Sequence, residues 1–128
     1  MSIFTDGEIA FLSGQKLGRL ATKVPDGTVQ NNPVGYFVHD DYVDIGGHGM
    51  GTSRKFHNIQ ADPQVSLVID DVSTDQGWQV RGIEIRGRAE AVEDAEPPMS
   101  GFSRELIRIH PDRILSWGFE GSSRRNVS

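Results

Sequence analysis

The sequence predicts a mainly β protein: an antiparallel sheet closed into a small barrel and accompanied by short helices. Three observations lead there. Strand-like runs follow one another from Leu17 to Phe119, separated by tight turns. Helix signals are confined to two brief segments, one near the N-terminus and one after Gly51. Apolar residues are spread over many strands in a chain of only 128 residues, which favours closing the sheet on itself to bury them together.

Thr5-Asp6-Gly7-Glu8 fits a capping box that opens a short helix, with Ile9, Phe11 and Leu12 expected on its apolar face and an end near Ser13-Gly14. Leu17 to Val24 reads as a strand. Pro25-Asp26-Gly27 is a turn, because proline presets φ and glycine accepts positive φ. Thr28 to Val38 reads as the returning strand, with unusual contents. Gln30, Asn31 and Asn32 are poor strand formers, and Pro33 cannot donate to a ladder. An edge, a bulge, or a neighbour other than a strand is implied. After His39-Asp40-Asp41 turns the chain, Tyr42 to Gly46 is the next strand.

Ser53 to Ala61 reads as the second helix, stopped by Asp62-Pro63. The continuous apolar run within Val65 to Val72 predicts a strand buried on both faces. Gln79 to Val92 is a long strand with Ile83, Ile85, Ala89 and Ala91 on one face and charges on the other. Ala95 to Ser100 is a linker or a single helical turn. Leu106–Ile109 and Arg113–Phe119 suggest a hairpin around His110-Pro111-Asp112. The polar tail, residues 121–128, is expected to be flexible.

Composition narrows the function. The absence of cysteine excludes disulfides, thiolate metal sites and a cysteine nucleophile. A net charge of -5 does not favour nucleic acid, which is usually met by a basic face. No signal peptide or membrane span is read, so a cytoplasmic location is the expectation. The four histidines show no metal-ligand spacing, and no metal is expected.

Against this acidic background, Gly46 to Ile59 stands out. Four glycines lie within Gly46–Gly51, and Thr52-Ser53-Arg54-Lys55 follows where a helix begins. Cations in a first helical turn oppose the helix dipole. An anion there would compensate, and phosphate suits the donors on offer: a guanidinium fork, an ammonium and hydroxyls. The run is neither a Walker loop, since Thr52 stands where lysine must be, nor a dinucleotide fingerprint. The competing reading is a flexible loop followed by two solvated cations.

These residues carry a family resemblance. TSRKFHNIQADPQVSLVID followed by QVRGIEIRGRAE resembles the flavin-binding split β-barrels of the pyridoxamine 5′-phosphate oxidase-like (PPOX class) superfamily. There a Ser-Arg-Lys run opens a short helix, an Asn/Asp-Pro-x-Val-Ser strand follows, and a strand ending near Gly-x-Ala-Glu comes next. GRLATKVPDGTVQNNPVGY is similar to that superfamily's first hairpin, so the match runs in order from Leu17 to Glu90. It implies one FMN-binding-type split barrel of six to seven antiparallel strands spanning 1–128. ELIRIHPDRILSWGFE is similar to the C-terminal hairpin of small F420-dependent oxidoreductases. The arginine-rich segment by which true pyridoxamine phosphate oxidases hold substrate is missing.

That branch implies a homodimer, the deazaflavin F420 in a groove at the subunit interface, and hydride transfer from the reduced cofactor to a small organic acceptor. Ser53, Arg54 and Lys55 match the cofactor-phosphate run, and Asn58 the polar position one helical turn on. Gln30, Asn32, Pro33 and Val34 match the segment beside the tricyclic ring. Gly47 lies in a loop that either lets backbone approach the cofactor or acts as a flap. Trp78 matches a region that approaches the partner's cofactor, or it is an interface or core aromatic. Trp117 reads as packing. No catalytic acid or base is identified, and hydride transfer by a cofactor needs none. Two alternatives stay open: an FMN-dependent oxidase or reductase on the same scaffold, and a cofactor-binding protein without turnover.

Overall fold

The computed structural model describes all residues, Met1–Ser128. Two α-helices, α1 (Asp6–Ser13) and α2 (Arg54–Ala61), accompany eight strands. These are β1 (Gly18–Lys23), β2 (Val29–Val34), β3 (Phe37–Val38), β4 (Val43–Ile45), β5 (Gln64–Ser73), β6 (Gln79–Val92), β7 (Leu106–Trp117) and β8 (Arg124–Asn126). A 3-10 turn, Met50–Thr52, leads into α2.

The strands form one antiparallel sheet in the order β2-β1-β5-β6-β7-β4-β3, with β8 added on β7. Its curvature follows from connectivity. β2 and β3 occupy opposite ends of that order, yet only Gly35 and Tyr36 separate them in the chain. The sheet must therefore curl until its edges approach, which makes a barrel split between β2 and β3. Inside lie Leu20, Ile45, Leu67, Ile69, Ile83, Ile85, Ile107, Ile109 and Ile114, all essentially inaccessible to water. Phe56 and Ile59 of α2 and Phe11 and Leu12 of α1 join the same core.

The capping box is present: Thr5 Oγ1 accepts from Glu8 N at 3.1 Å, and Glu8 Oε1 accepts from Thr5 N at 2.9 Å. Of the three outcomes its composition allowed, the amide-rich strand is an edge, because β2 pairs with β1 alone. Four expectations change. The segment Thr28 to Val38 is two strands, since its ends serve opposite edges of the split. β5 is not buried on both faces: Val65, Leu67 and Ile69 are buried, whereas Ser66 and Val68 on the outer face are only half-buried. A curled sheet covers its concave side only.

The expected hairpin at His110-Pro111-Asp112 is instead the middle of the continuous strand β7. Register shifts there, with Gly87 opposite Pro111 and Arg86 opposite Arg113, so Asp112 is the extra residue of a bulge. A bulge absorbs the ladder bond that proline cannot make. It also needs Gly87, because a Cβ at that position would lie 2.2 Å from the His110 carbonyl oxygen. Gly87→Ala is accordingly expected to destabilise the protein by about 1–3 kcal/mol through forced backbone shifts, read as a lowered midpoint in a urea melt.

The tail expected to be flexible is paired. β8 lies on β7, and Arg125 reaches the buried Glu8 at 2.7 Å. Polar composition misleads here because the partner of the arginine is more than a hundred residues away.

Candidate functional site

The turn at Pro25–Gly27, the 3-10 turn and the start of α2 converge on one corner. A groove of about 360 Å³ there is lined by Pro25, Thr52, Arg54, His57 and Asn58. Ser53 is the N-cap of α2: its hydroxyl accepts from Phe56 N at 3.3 Å and donates to Met50 O at 2.7 Å. That hydroxyl shapes the corner rather than standing free in it. Arg54 is exposed and Lys55 half-buried, and neither forms an ion pair. No acidic residue lies in the first turn of α2. Lys55 sits on that turn but does not line the groove.

Two carboxylates flank the corner without an ion pair to its cations: Glu105, against Gly51 of the 3-10 turn, and Asp26. The Thr28 hydroxyl and N–H hold the Asp26 carboxyl below the usual carboxylate range, with a smaller contribution from the Arg54 charge. Both of those Thr28 bonds end on Oδ1, at 2.6 and 2.9 Å. The corner thus keeps cationic donors without a matching anion, and this donor set fits a phosphate.

Behind the corner is a relay of amides. Asn58, 2% exposed, donates through Nδ2 to Thr22 Oγ1 at 3.0 Å and to Gln30 Oε1 at 2.9 Å. Asn58 therefore orients Gln30, and the Gln30 amide NH2 is left for another acceptor. The relay joins α2, β1 and β2, so the start of α2 and the Gln30 segment of β2 are one structural unit. Along β2, Asn32 is half-buried and Pro33 exposed, opposite Leu20 and Arg19 on β1. Val34 is a core residue at 5% exposure, so its backbone rather than its side chain remains at the edge.

Gly47 belongs to a clamped loop. Its carbonyl accepts from Ser103 N at 2.9 Å and Ser103 Oγ at 3.1 Å, and Ser103 Oγ accepts from Met50 N at 3.0 Å. His48 Nδ1 lies 2.8 Å from Gly101 O, and the His48 ring meets Phe102 edge-on at 4.9 Å. These bonds fasten the glycine run to the β6–β7 connection.

Trp78 lies elsewhere. β5 runs from Val65, opposite Thr22, to Ser73 at the hairpin end beside Trp78. Eight strand residues put that end roughly 26 Å from the corner. There Trp78 is 79% exposed, beside the exposed cross-strand pair Val72 and Val80. Trp117 packs against Gly82, where a Cβ would come within 2.5 Å of its ring.

Thr52, read from the sequence as a hydroxyl donor, does line the corner, whereas sequence reasoning missed Thr22, Pro25 and His57 there. Thr22 points inward on a strand of alternating pattern, a signal that could have been read; the other two depend on how two turns meet. Larger grooves also lie off the corner: besides one of about 420 Å³ beside Phe11, Asp71 and Arg81, there are two more. One, about 800 Å³, is on the outer face of β1, β5 and β6, between Lys23 and Arg86. The other, about 660 Å³, is between α1 and β3.

Known proteins share this architecture. A reductase of Streptomyces rimosus subsp. rimosus, described as acting on 5a,11a-dehydrotetracycline and 5a,11a-dehydrooxytetracycline, is 40% identical over 132 residues, covering 97% of this chain and 89% of the relative. A conserved hypothetical protein from Mycobacterium tuberculosis superposes with a TM-score of 0.71 at 24% identity, covering 99% of this chain and 94% of the other. The structure of an F420 reductase superposes with a TM-score of 0.60 at 25% identity, covering 78% of this chain and 89% of that one. No helix is long and apolar enough to cross a membrane. Residues 5–118 match the model of the pyridoxamine 5'-phosphate oxidase family, and the chain, which carries that family's split barrel, belongs to it.

Proposed function

We propose that the protein is an oxidoreductase that uses the reduced deazaflavin F420 to reduce a small, conjugated organic acceptor. The observation that carries this reading is the pair Arg54–Lys55 at the start of α2, cations with no anionic partner in a chain of net charge -5. When bound, the reduced coenzyme supplies a hydride. Arg54 and Lys55 hold its phosphate, with Thr52 and the α2 N-terminus adding donors. Gln30, fixed by Asn58, and the free edge of β2 at Asn32–Val34 orient the ring. The similarity to an F420 reductase supports the choice of coenzyme. The relative from Streptomyces supports an acceptor of the dehydrotetracycline type, in which a carbon–carbon double bond is reduced.

A homodimer completes this reading. The outer face of β1, β5 and β6 has half-buried Ala21, Ser66 and Val68, and Val29 stands exposed beside it. The β5–β6 ribbon carries Trp78 too far from its own corner to serve it, so Trp78 meets the coenzyme held by a second copy.

Titrating the purified protein with F420 and with FMN, by fluorescence quenching, tests the coenzyme. Tighter binding of F420 is expected, followed by oxidation of the reduced form on adding 5a,11a-dehydrotetracycline. Binding of FMN with no response to F420 would replace this reading with a flavin enzyme.

A further inference from the structure

The helix α1 departs from the usual amphipathic rule. Glu8 is fully buried, whereas Ile9, the next residue, is 40% exposed. The charge is inside and the branched aliphatic side chain outside. Ile9 faces the groove of about 660 Å³ between α1 and β3, whose other apolar walls are Leu12, Phe37, Val38 and Pro98. Its sides are held in place. The Tyr36 hydroxyl donates to Leu12 O at 2.6 Å, tying β3 to the end of α1. Burial of that phenol pushes its pKa up to about 12, so the bond persists over the working pH range. At the other end Ile3 N donates to Asp40 O at 2.8 Å.

Resting on the function proposed above, we infer that this groove is the acceptor site, and that it takes an uncharged, flat, conjugated molecule bearing oxygen substituents. Its volume is that of a small-molecule site. No lysine or arginine lines it, and Asp40 stands at its rim, so it does not suit a phosphorylated or polyacidic ligand. Its apolar walls suit the faces of a flat ring system. His39 and Gln15 in the lining supply polar partners for substituents on the edge: Gln15 Nε2 spends one hydrogen on Asp71 Oδ2 at 2.7 Å and keeps a second, and the Ser13 hydroxyl, which donates to Ala10 O at 2.9 Å, is left as an acceptor.

Position favours the same occupant. The ring segment of β2 runs through Gly35 directly into Tyr36 and Phe37, which line the groove. A Cβ at Gly35 would meet nothing within 4 Å, so the space beside that joint is open. A ring on β2 and an acceptor between α1 and β3 would therefore be neighbours along one continuous stretch of chain.

Calorimetric titration with tetracycline, without coenzyme, tests the site directly. Ile9→Arg and Ser13→Arg place a long cation into the groove from two exposed helix positions. Each is expected to weaken tetracycline binding at least tenfold and to move F420 affinity less than twofold. Wild-type affinity in both variants, or no tetracycline binding by the wild type, would overturn the inference. If F420 does not bind but tetracycline binding is lost in the variants, the acceptor site stands and the coenzyme assignment falls.

Discussion

Arg54→Glu is expected to weaken F420 binding at least a hundredfold while leaving the protein folded. A charge-assisted hydrogen bond from guanidinium to phosphate contributes about 1.5–3 kcal/mol, and reversing the charge adds repulsion of the coenzyme. A hundredfold loss corresponds to about 2.8 kcal/mol, within reach of that sum. Folding responds differently. Arg54 is exposed and unpaired, so its removal breaks no native ion pair. A carboxylate in the first turn of α2 suits the helix dipole, and repulsion from the nearby Asp26 opposes that gain. Fluorescence-quenching titration beside a thermal melt separates the two effects. Lys55→Ala, which removes a charge outside the groove lining, is expected to cost about tenfold, and wild-type binding is expected to weaken as salt rises. Unchanged affinity in both variants would mean that the two cations are merely solvated.

The parts that were legible in the sequence are those with a local physical signature. The Thr5–Glu8 box, the Pro25–Gly27 turn and the Ser53 cap each follow from residues within a few positions of one another. The oddity of Gln30–Pro33 signalled an edge, a bulge or a neighbour other than a strand, and the structure has the edge, where proline leaves no ladder bond unmade. What stayed hidden depends on distant partners. Pro111 looks like a turn until Gly87 is seen opposite it, opening room for a bulge. The tail looks solvated until Arg125 meets a carboxylate buried at the other end of the chain. In the candidate site, Arg54 and Gln30 were identified by residue type. Asn58 as the link between them required the packing of α2 on β1 and β2. The groove between α1 and β3 has no sequence signature, since Ile9 reads as core until its neighbour Glu8 is found inside instead.

Arg125→Met is expected to destabilise the protein by about 3–5 kcal/mol, a large share of the total for a domain of this size. Glu8 is 0% exposed, and its two carboxylate oxygens accept from Arg125 at 2.7 and 2.9 Å. Ser116 Oγ donates to the same carboxylate at 2.6 Å. Burial pushes the Glu8 carboxyl up, but hydrogen bonds from Arg125, Ser116 and Thr5 outweigh it, and the net position is below the usual glutamate value of 4.5. A carboxyl lowered by folding stabilises the native state above its unfolded pKa. That contribution is lost as pH falls from 4.5 through the folded value, so acid melts should show the wild type weakening in this window. Without Arg125 the burial effect faces fewer opposing bonds, the carboxyl rises, and the acid loss shrinks. Because the damage comes from an unpaired buried charge, Glu8→Gln added to Arg125→Met should restore part of the stability. A double variant no more stable than Arg125→Met alone would show that the pair is not coupled. The consequence reaches the proposed acceptor site. Arg125 also donates to Ile3 O at 2.7 Å, so the C-terminal strand holds both α1 and the segment that closes one end of the groove. Loss of tetracycline binding in Arg125→Met at temperatures below its melt, with rescue in the double variant, is the expected sign that β8 fixes that wall.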